Sequence, residues 1–99
     1  MPPVAVIWTP NARLCLRRVY LFMAEKDKKV AQNAMAFMHD KVKKLSEFPC
    51  IGRPAKDLEP EYRELLIPFG VAGYVVLYRY DKESGLAVLA IKHQLEAGY

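Results

Sequence analysis

Three β-type runs follow one another closely between Tyr62 and His93. They are YRELLI (62–67), GYVVLYRY (73–80) and LAVLAIKH (86–93), separated by a Pro-Phe-Gly break and by the turn sequence DKESG. Because parallel strands need a crossover of about a dozen residues or more, strands this close together must pair antiparallel. The pattern therefore predicts a three-stranded antiparallel meander at the centre of the fold.

The N-terminal part of the chain predicts one strand and one helix. The apolar, β-branched run Val4–Trp8 is too short for a helix and ends at Thr9-Pro10. Thr9 offers a side-chain oxygen to the free amides of a helix start, and Pro10 suits the first helical position. This helix is apolar around much of its circumference, so we expect it to pack on two neighbours. Its apolar positions are Cys15, Leu16, Val19, Tyr20, Leu21, Phe22 and Met23.

A second helix follows after a tight turn. Five charged residues at positions 25–29 end the first apolar stripe, and Asp27 among them can cap the next helix. Its opposite face is rich in lysine near the C-terminal end, where cations complement the helix dipole, and we expect that face to be solvated. The predicted buried seam is Ala31, Ala34, Met38, Val42 and Leu45, with Met35 beside it.

The segment Phe48–Pro60 lacks a regular period. We expect a structured loop in which Ile51 and Leu58 act as apolar anchors. The residues that rule out a regular element are Pro49, Gly52, Pro54 and Pro60.

The order of strand, two helices and three strands predicts one α+β domain over residues 1–99, with two layers. The helical hairpin then lies across one face of the meander sheet. Alternation places Tyr74, Val76 and Tyr78 on one side and Val75 and Leu77 on the other, so neither side is plainly polar. We expect the uncovered apolar face to be a binding surface.

The first hairpin of the meander predicts a polar cluster at one end of the sheet. If Ile67 opposes Tyr74, then Arg63 lies across from Tyr78. The cluster expected from this register comprises Arg63, Arg79 and Tyr80.

The second hairpin predicts another cluster at the opposite end. If Tyr80 opposes Leu86, then Tyr74 lies across from Lys92, with His93 beside it. Histidine suits acid–base chemistry near neutral pH, but it needs a positioning partner or a stabilising charge. This register places no carboxylate beside His93, and Lys92 is its one candidate partner. A histidine at a strand end is more often structural.

Other catalytic arrangements find no support in the spacing. Ser46 and Ser84 are placed near no histidine, which disfavours nucleophilic catalysis. A metal site needs three or four ligands in register, and we expect none. The scattered candidates are Cys15, His39, Cys50 and His93.

The amino-acid composition indicates what kind of partner the protein binds and in which compartment it acts. The 99 residues include 15 Lys+Arg and 11 Asp+Glu, a net charge of +4 that favours an acidic partner, either protein or nucleic acid. No run approaches the roughly 20 apolar residues of a membrane span, and the N-terminus lacks the pattern of a signal peptide. We therefore expect a cytoplasmic protein without membrane contact, whose Cys15 and Cys50 are free thiols.

Four motifs together resemble the RelE/ParE superfamily of toxins from type II toxin–antitoxin systems. The resemblance covers nearly the whole chain and implies the same strand, helical hairpin and meander. The motifs are the loop Pro49-Cys50-Ile51-Gly52-Arg53-Pro54, the strand start Arg63-Glu64-Leu65, the strand Tyr74-Val75-Val76-Leu77-Tyr78-Arg79 and the closing Leu89-Ala90-Ile91-Lys92-His93.

The superfamily has a ribonuclease branch and a ParE-like branch, and the residues favour the latter. The ribonuclease pattern has a carboxylate after the Gly-basic-Pro loop, where this chain has Ala55, and an arginine opening the central strand, where it has Tyr74. It closes the last strand with His-Tyr, and here Gln94 follows His93. Losing one charge-stabilising donor alone costs about a hundred- to a thousandfold in rate. Lysines serve in other RelE members, so Lys56 and Lys92 leave the ribonuclease alternative open.

The resemblance thus implies a ParE-like toxin that binds and inhibits DNA gyrase, with no catalytic residue and no cofactor. A cognate antitoxin would lie across the helical hairpin and the exposed sheet, forming a hetero-oligomer that meets operator DNA through the antitoxin alone. We expect Arg53 to bond loop carbonyls. The expected target-binding residues are Arg53, Arg63, Tyr74, Arg79, Lys92 and His93.

Two alternatives remain at the level of sequence. One is a RelE-like, ribosome-dependent messenger-RNA endonuclease with Arg63, Arg79, Lys92 and His93 as catalytic residues. The other is a member without toxicity that binds only its antitoxin and operator DNA.

Overall fold

The computed structural model describes residues 3–70 and 72–94. A 3-10 turn at Lys44–Ser46 prolongs the second helix. The helices and strands are β1 (Val6–Trp8), α1 (Pro10–Ala24), α2 (Lys28–Lys43), β2 (Arg53–Pro54), β3 (Tyr62–Phe69), β4 (Ala72–Asp81) and β5 (Gly85–His93).

Both helices begin where the capping residues predict. The Thr9 hydroxyl accepts a hydrogen bond from the Ala12 amide at 3.2 Å, and Pro10 is the first residue of α1. The Asp27 carboxylate accepts from the amides of Lys29 and Val30 at 3.0 and 3.2 Å. The predicted seam of α2 is buried at each of its five positions: Ala31, Ala34, Met38, Val42 and Leu45.

The five strands form one mixed sheet in the order β1-β5-β4-β3-β2. The meander β3-β4-β5 is antiparallel as predicted, and β1 adds to its edge parallel to β5. Strand β2 corrects the expectation that the loop holds no regular element, because Arg53 and Pro54 pair with Glu64 and Arg63 of β3. Proline is tolerated there because β2 is an edge strand.

The helices cover one face of this sheet, as the α+β prediction requires. Phe37 of α2 packs against Phe69 of β3 with 6.0 Å between the ring centroids. Ile67 shares the face of Phe69, since side chains alternate along a strand, and it pairs with Tyr74. The predicted alternation along β4 is therefore confirmed, with Tyr74, Val76 and Tyr78 turned towards the helices.

A β-bulge corrects the predicted register of the second hairpin. Tyr80 pairs with Leu86 as predicted, but Leu77 pairs with Ala90 while Tyr78 pairs with Val88. The extra residue, Leu89, advances the rest of β5 by one position, so Tyr74 opposes His93 and Val75 opposes Lys92. The bulge is held by the start of α1, where the side-chain amide nitrogen of Asn11 donates to the Leu89 carbonyl at 2.9 Å.

The sheet face away from the helices is less exposed than the sequence predicts. Val75 and Leu77 are only 3% and 9% exposed. In register, Val75 lies between Leu66 and Lys92, and Leu77 lies beside Glu64, so long side chains of the neighbouring strands flank both. The expectation of an open apolar sheet face is therefore wrong for the middle of β4.

Exposed apolar side chains lie instead mainly on α1 and in the segment between α2 and β3. We expected Leu21 and Phe22 to pack on a second neighbour, but they are exposed because α1 turns its Ala12 and Val19 side to the core. Within the described ranges, the large exposed hydrophobic residues are Ile7, Leu14, Leu21, Phe22, Val30, Phe48, Ile51, Leu58 and Leu66.

Candidate functional site

Tyr78 of β4 holds the loop that precedes β2. Its hydroxyl donates to the Pro49 carbonyl at 2.8 Å and accepts from the Gly52 amide at 2.9 Å. The side chain has no exposed surface, and burial raises the pKa of this phenol above its ordinary value. One buried group therefore fixes both ends of residues 49–52.

Gly52 lies where a side chain has no room. A Cβ at this position would lie 2.7 Å from the Glu64 carbonyl oxygen and 2.7 Å from the Tyr78 hydroxyl. Contacts this short force a shift of the backbone or of a buried ring. The glycine is therefore needed for the close approach of the loop to β3 and β4.

Arg63 is the second anchor of this loop. Its Nη1 donates to the Gly52 carbonyl at 2.7 Å and lies 3.3 Å from the Cys50 carbonyl. We expected Arg53 to bond the loop carbonyls, and in the structure Arg63 has that role. Arg53 lies in edge strand β2 and bonds through Nε to Glu64 at 3.0 Å instead.

Arg79 lies on the other face of the sheet. It pairs across the strands with Tyr62, whereas Arg63 pairs with Tyr78, and adjacent residues alternate. Arg79 Nη1 bonds the Asp81 carboxylate at 2.6 Å, and its guanidinium lies 6.0 Å from the Tyr62 ring centroid. The predicted cluster of Arg63, Arg79 and Tyr80 is therefore not formed.

Asp81 organises the turn between β4 and β5. Its carboxylate accepts from the amides of Ser84 at 2.6 Å and Glu83 at 2.8 Å, besides the bond from Arg79. The Ser84 amide, then the Glu83 amide and Arg79, hold the pKa of Asp81 below its ordinary value. The same hydrogen bond from Arg79 raises the pKa of that guanidinium. This ion pair is a structural element of the hairpin.

Tyr74 and His93 meet as direct cross-strand partners, whereas Lys92, the residue predicted across from Tyr74, does not share their face. The two rings pack edge to face with 5.4 Å between their centroids. Lys92 opposes Val75, so it lies on the opposite face of β5 from His93. The predicted second cluster is thus divided between the two sides of the sheet.

The six expected target-binding residues do not form one site. Arg63, Tyr74 and His93 lie on the helix face of the sheet, Arg79 and Lys92 lie on the other face, and Arg53 lies in the edge strand β2 opposite Glu64. Acid–base cleavage of a phosphodiester needs a base and cationic donors around one phosphate. This division does not provide such a set. Within residues 3–70 and 72–94, no group of three or more His, Cys, Asp and Glu side chains is placed to hold a metal ion.

A surface on the loop was missed by sequence reasoning. Ile51 and Leu58, expected as buried anchors, are 58% and 46% exposed, because Tyr78 and Arg63 hold the loop by its backbone. A groove of about 420 Å³ lies there. It is lined by Phe48, Pro49, Cys50, Ile51, Tyr80 and Lys82. The signal in the sequence was a run of apolar residues that no local partner covers.

Two further grooves lie on the helical layer. One, of about 390 Å³, runs along α1 between Leu14, Leu21 and Phe22. The other, of about 480 Å³, lies between α2 and the β1 segment. Its lining includes His39 of α2 and Ser46 of the 3-10 turn that follows this helix. The Ser46 hydroxyl donates to the Val4 carbonyl at 2.7 Å. This serine is therefore a structural bridge.

The fold agrees with comparisons to known proteins. Residues 6–98 match the family model described as the ParE toxin of the type II toxin–antitoxin system parDE. The chain is 31% identical over 91 residues to Toxin RelE1 of Caulobacter vibrioides, covering 92% of this chain and 94% of that protein. A solved structure titled "Chromosomal ParDE TA system from P. aeruginosa" superposes with a TM-score of 0.73 at 19% identity, covering 94% of this chain and 98% of that one.

These matches define a toxin of a type II toxin–antitoxin system with the RelE/ParE fold. The chain belongs to the ParE toxin family, because the family model matches nearly its whole length. Neither described helix is long and apolar enough to cross a membrane.

Proposed function

We propose that this toxin inhibits DNA gyrase by binding it, without chemistry of its own. The observation that carries the proposal is the division of the basic residues. Arg63 is bonded to loop carbonyls and Arg79 to Asp81, on opposite faces of the sheet. A ribonuclease with Arg63, Arg79, Lys92 and His93 in one site would need all four around a single phosphate. The structure therefore favours the binding mechanism over the nuclease alternative.

We infer further that a cognate antitoxin neutralises the toxin by docking on the helical hairpin. The groove along α1 supports this, since Leu14, Leu21 and Phe22 are exposed on one helix with Arg17 and Arg18 between them. An amphipathic antitoxin helix with acidic flanks fits such a surface. The toxin then meets operator DNA through the antitoxin and acts in the cytoplasm.

The experiment is supercoiling of relaxed plasmid by purified gyrase with increasing toxin. Supercoiling should fall with toxin concentration and recover when the antitoxin is added first. The matched control is toxin carrying Leu21→Glu and Phe22→Glu, which should still inhibit gyrase but escape the antitoxin. Unchanged supercoiling at toxin concentrations that stop growth in cells would reject gyrase as the target.

A further inference from the structure

The apolar surface of the loop has no role in the proposed docking of the antitoxin. We define the loop surface as Phe48, Pro49, Cys50, Ile51, Tyr80 and Lys82, the residues that line the groove of about 420 Å³. Phe48 and Ile51 are 57% and 58% exposed, although both are large hydrophobic side chains. Contiguous exposed apolar residues of this kind mark interaction surfaces.

The backbone that carries this surface is held in place by side chains of the sheet. Tyr78 bonds Pro49 and Gly52, and Arg63 bonds Cys50 and Gly52, so residues 49–52 receive side-chain hydrogen bonds at three positions. The Tyr78 side chain is fully buried, and its hydrogen bond from the Gly52 amide is buried too, which protects that bond from competing water. A surface fixed before binding loses less conformational entropy when a partner docks. The construction is thus that of a preorganised docking site.

The lining of the groove indicates a protein as the partner. Lys82 is its one charged lining residue among the described residues, and the rest are apolar, aromatic or cysteine. A nucleic acid would require several cations along its phosphates, besides any stacking on Phe48. An apolar side chain with a carboxylate beside it fits both the groove and the charge of Lys82. The net charge of +4 favours the same acidic partner.

We propose that the loop surface docks on the toxin's protein target and takes up an apolar side chain flanked by a carboxylate. The inference rests on the proposed function only in requiring that the target is a protein. Tyr78 and Arg63 are positioning residues for this surface. The α1 groove remains the antitoxin surface, so the two sites are separable by mutation.

Growth inhibition in cells is the first test, because it needs no prior choice of target. Phe48→Ser with Ile51→Ser should raise the toxin level needed for half-maximal inhibition by about tenfold or more, as expected for central apolar contacts. Leu58→Ser is the matched control, since Leu58 is exposed in the same segment but does not line the groove. Lys82→Glu should also weaken inhibition, whereas Lys28→Glu on α2 should not.

The double variant must keep the wild-type melting temperature and its binding to the antitoxin for the loss to be assigned to the target. Full growth inhibition by the double variant would overturn the proposal. Loss of antitoxin binding with retained inhibition would also overturn it, because the surface would then belong to the antitoxin.

Alkylation of Cys50 tests the same surface on the folded wild-type protein. Cys50 is exposed and Cys15 is buried, so a maleimide should react at Cys50 first. The modified toxin should bind purified gyrase about tenfold or more weakly, and treated Cys50→Ser toxin should be unaffected. Undiminished gyrase binding after complete alkylation would contradict the proposal. If the wild type does not bind gyrase, the gyrase proposal fails, and the growth measurements still decide the role of the loop surface.

Discussion

The hydroxyl of Tyr78 donates to the Pro49 carbonyl at 2.8 Å, although the two residues are 29 positions apart in the sequence. The same oxygen accepts from the Gly52 amide at 2.9 Å. A residue of the central strand thereby sets the position of the loop relative to the sheet. The loop surface depends on this bond for its shape.

Tyr78→Phe should lower the free energy of unfolding by about 1–3 kcal/mol, because the buried Gly52 amide loses its partner. Urea denaturation of the purified protein measures this. Tyr80→Phe is the control, since the structure gives the Tyr80 hydroxyl no hydrogen bond with the described residues, and it should change stability little. Equal losses in both variants would show that the hydroxyl of Tyr78 has no special role.

Gly52→Ala should destabilise the protein by about 1–3 kcal/mol through overpacking against Glu64 and Tyr78. Gly85 makes a useful contrast. Its φ of 84° favours glycine for its backbone conformation, while an added Cβ there would meet no atom within 4 Å. Gly85→Asn should therefore be tolerated better than Gly52→Ala. Thermal melting of the two variants gives the comparison, and the reverse order would contradict the close-approach account of Gly52.

Arg63→Gln should cost about 1–2 kcal/mol of stability, because loop carbonyls lose a charged donor. Arg53→Gln should cost at most about 1 kcal/mol, since Arg53 is exposed and its ion pair with Glu64 is partly screened. Chemical denaturation of both variants under one buffer condition tests the difference. A larger loss of stability in Arg53→Gln than in Arg63→Gln would show that Arg53, as the sequence predicted, is the residue that anchors the loop.

Asp81 should contribute to the pH dependence of stability. Its folded pKa is lowered, so its stabilising effect is present above the unfolded pKa of about 3.9 and is lost as the pH falls through the folded value. The melting temperature of the wild type should exceed that of Asp81→Asn at pH 7, and the gap should begin to shrink below about pH 4 and close once the pH is below the lowered folded pKa. A gap that persists in acid would show that charge is not its source.

Periodicity predicted the helical layer and the first hairpin because those features depend on local sequence. The pairing of Ile67 with Tyr74 and the buried seam from Ala31 to Leu45 follow from alternation and helical spacing. The predicted register of the second hairpin was right from Tyr80 to Tyr78 and wrong from Leu77 to Tyr74. The cause is the bulge at Leu89, which is held by Asn11, a residue distant in sequence. A bulge supported by a remote side chain leaves no local signal.

The site was predicted less well for the same physical reason. The sequence placed Arg63 beside Tyr78 correctly, but the carbonyls that Arg63 bonds belong to a loop whose path it could not define. It also treated Ile51 as a buried anchor, because an apolar residue between breakers is usually covered. Backbone anchoring by Tyr78 leaves that side chain exposed.

The central claim is inhibition of gyrase by binding, and His93→Gln tests it most directly. Wild-type and variant toxin are compared in two reactions, supercoiling by purified gyrase and messenger-RNA cleavage on programmed ribosomes. Our account predicts that both proteins inhibit gyrase to within a few fold and that neither cleaves RNA, whereas an acid–base residue contributes about 10²–10⁴-fold. Ribosome-dependent cleavage that disappears in His93→Gln, with gyrase unaffected by either protein, would contradict it.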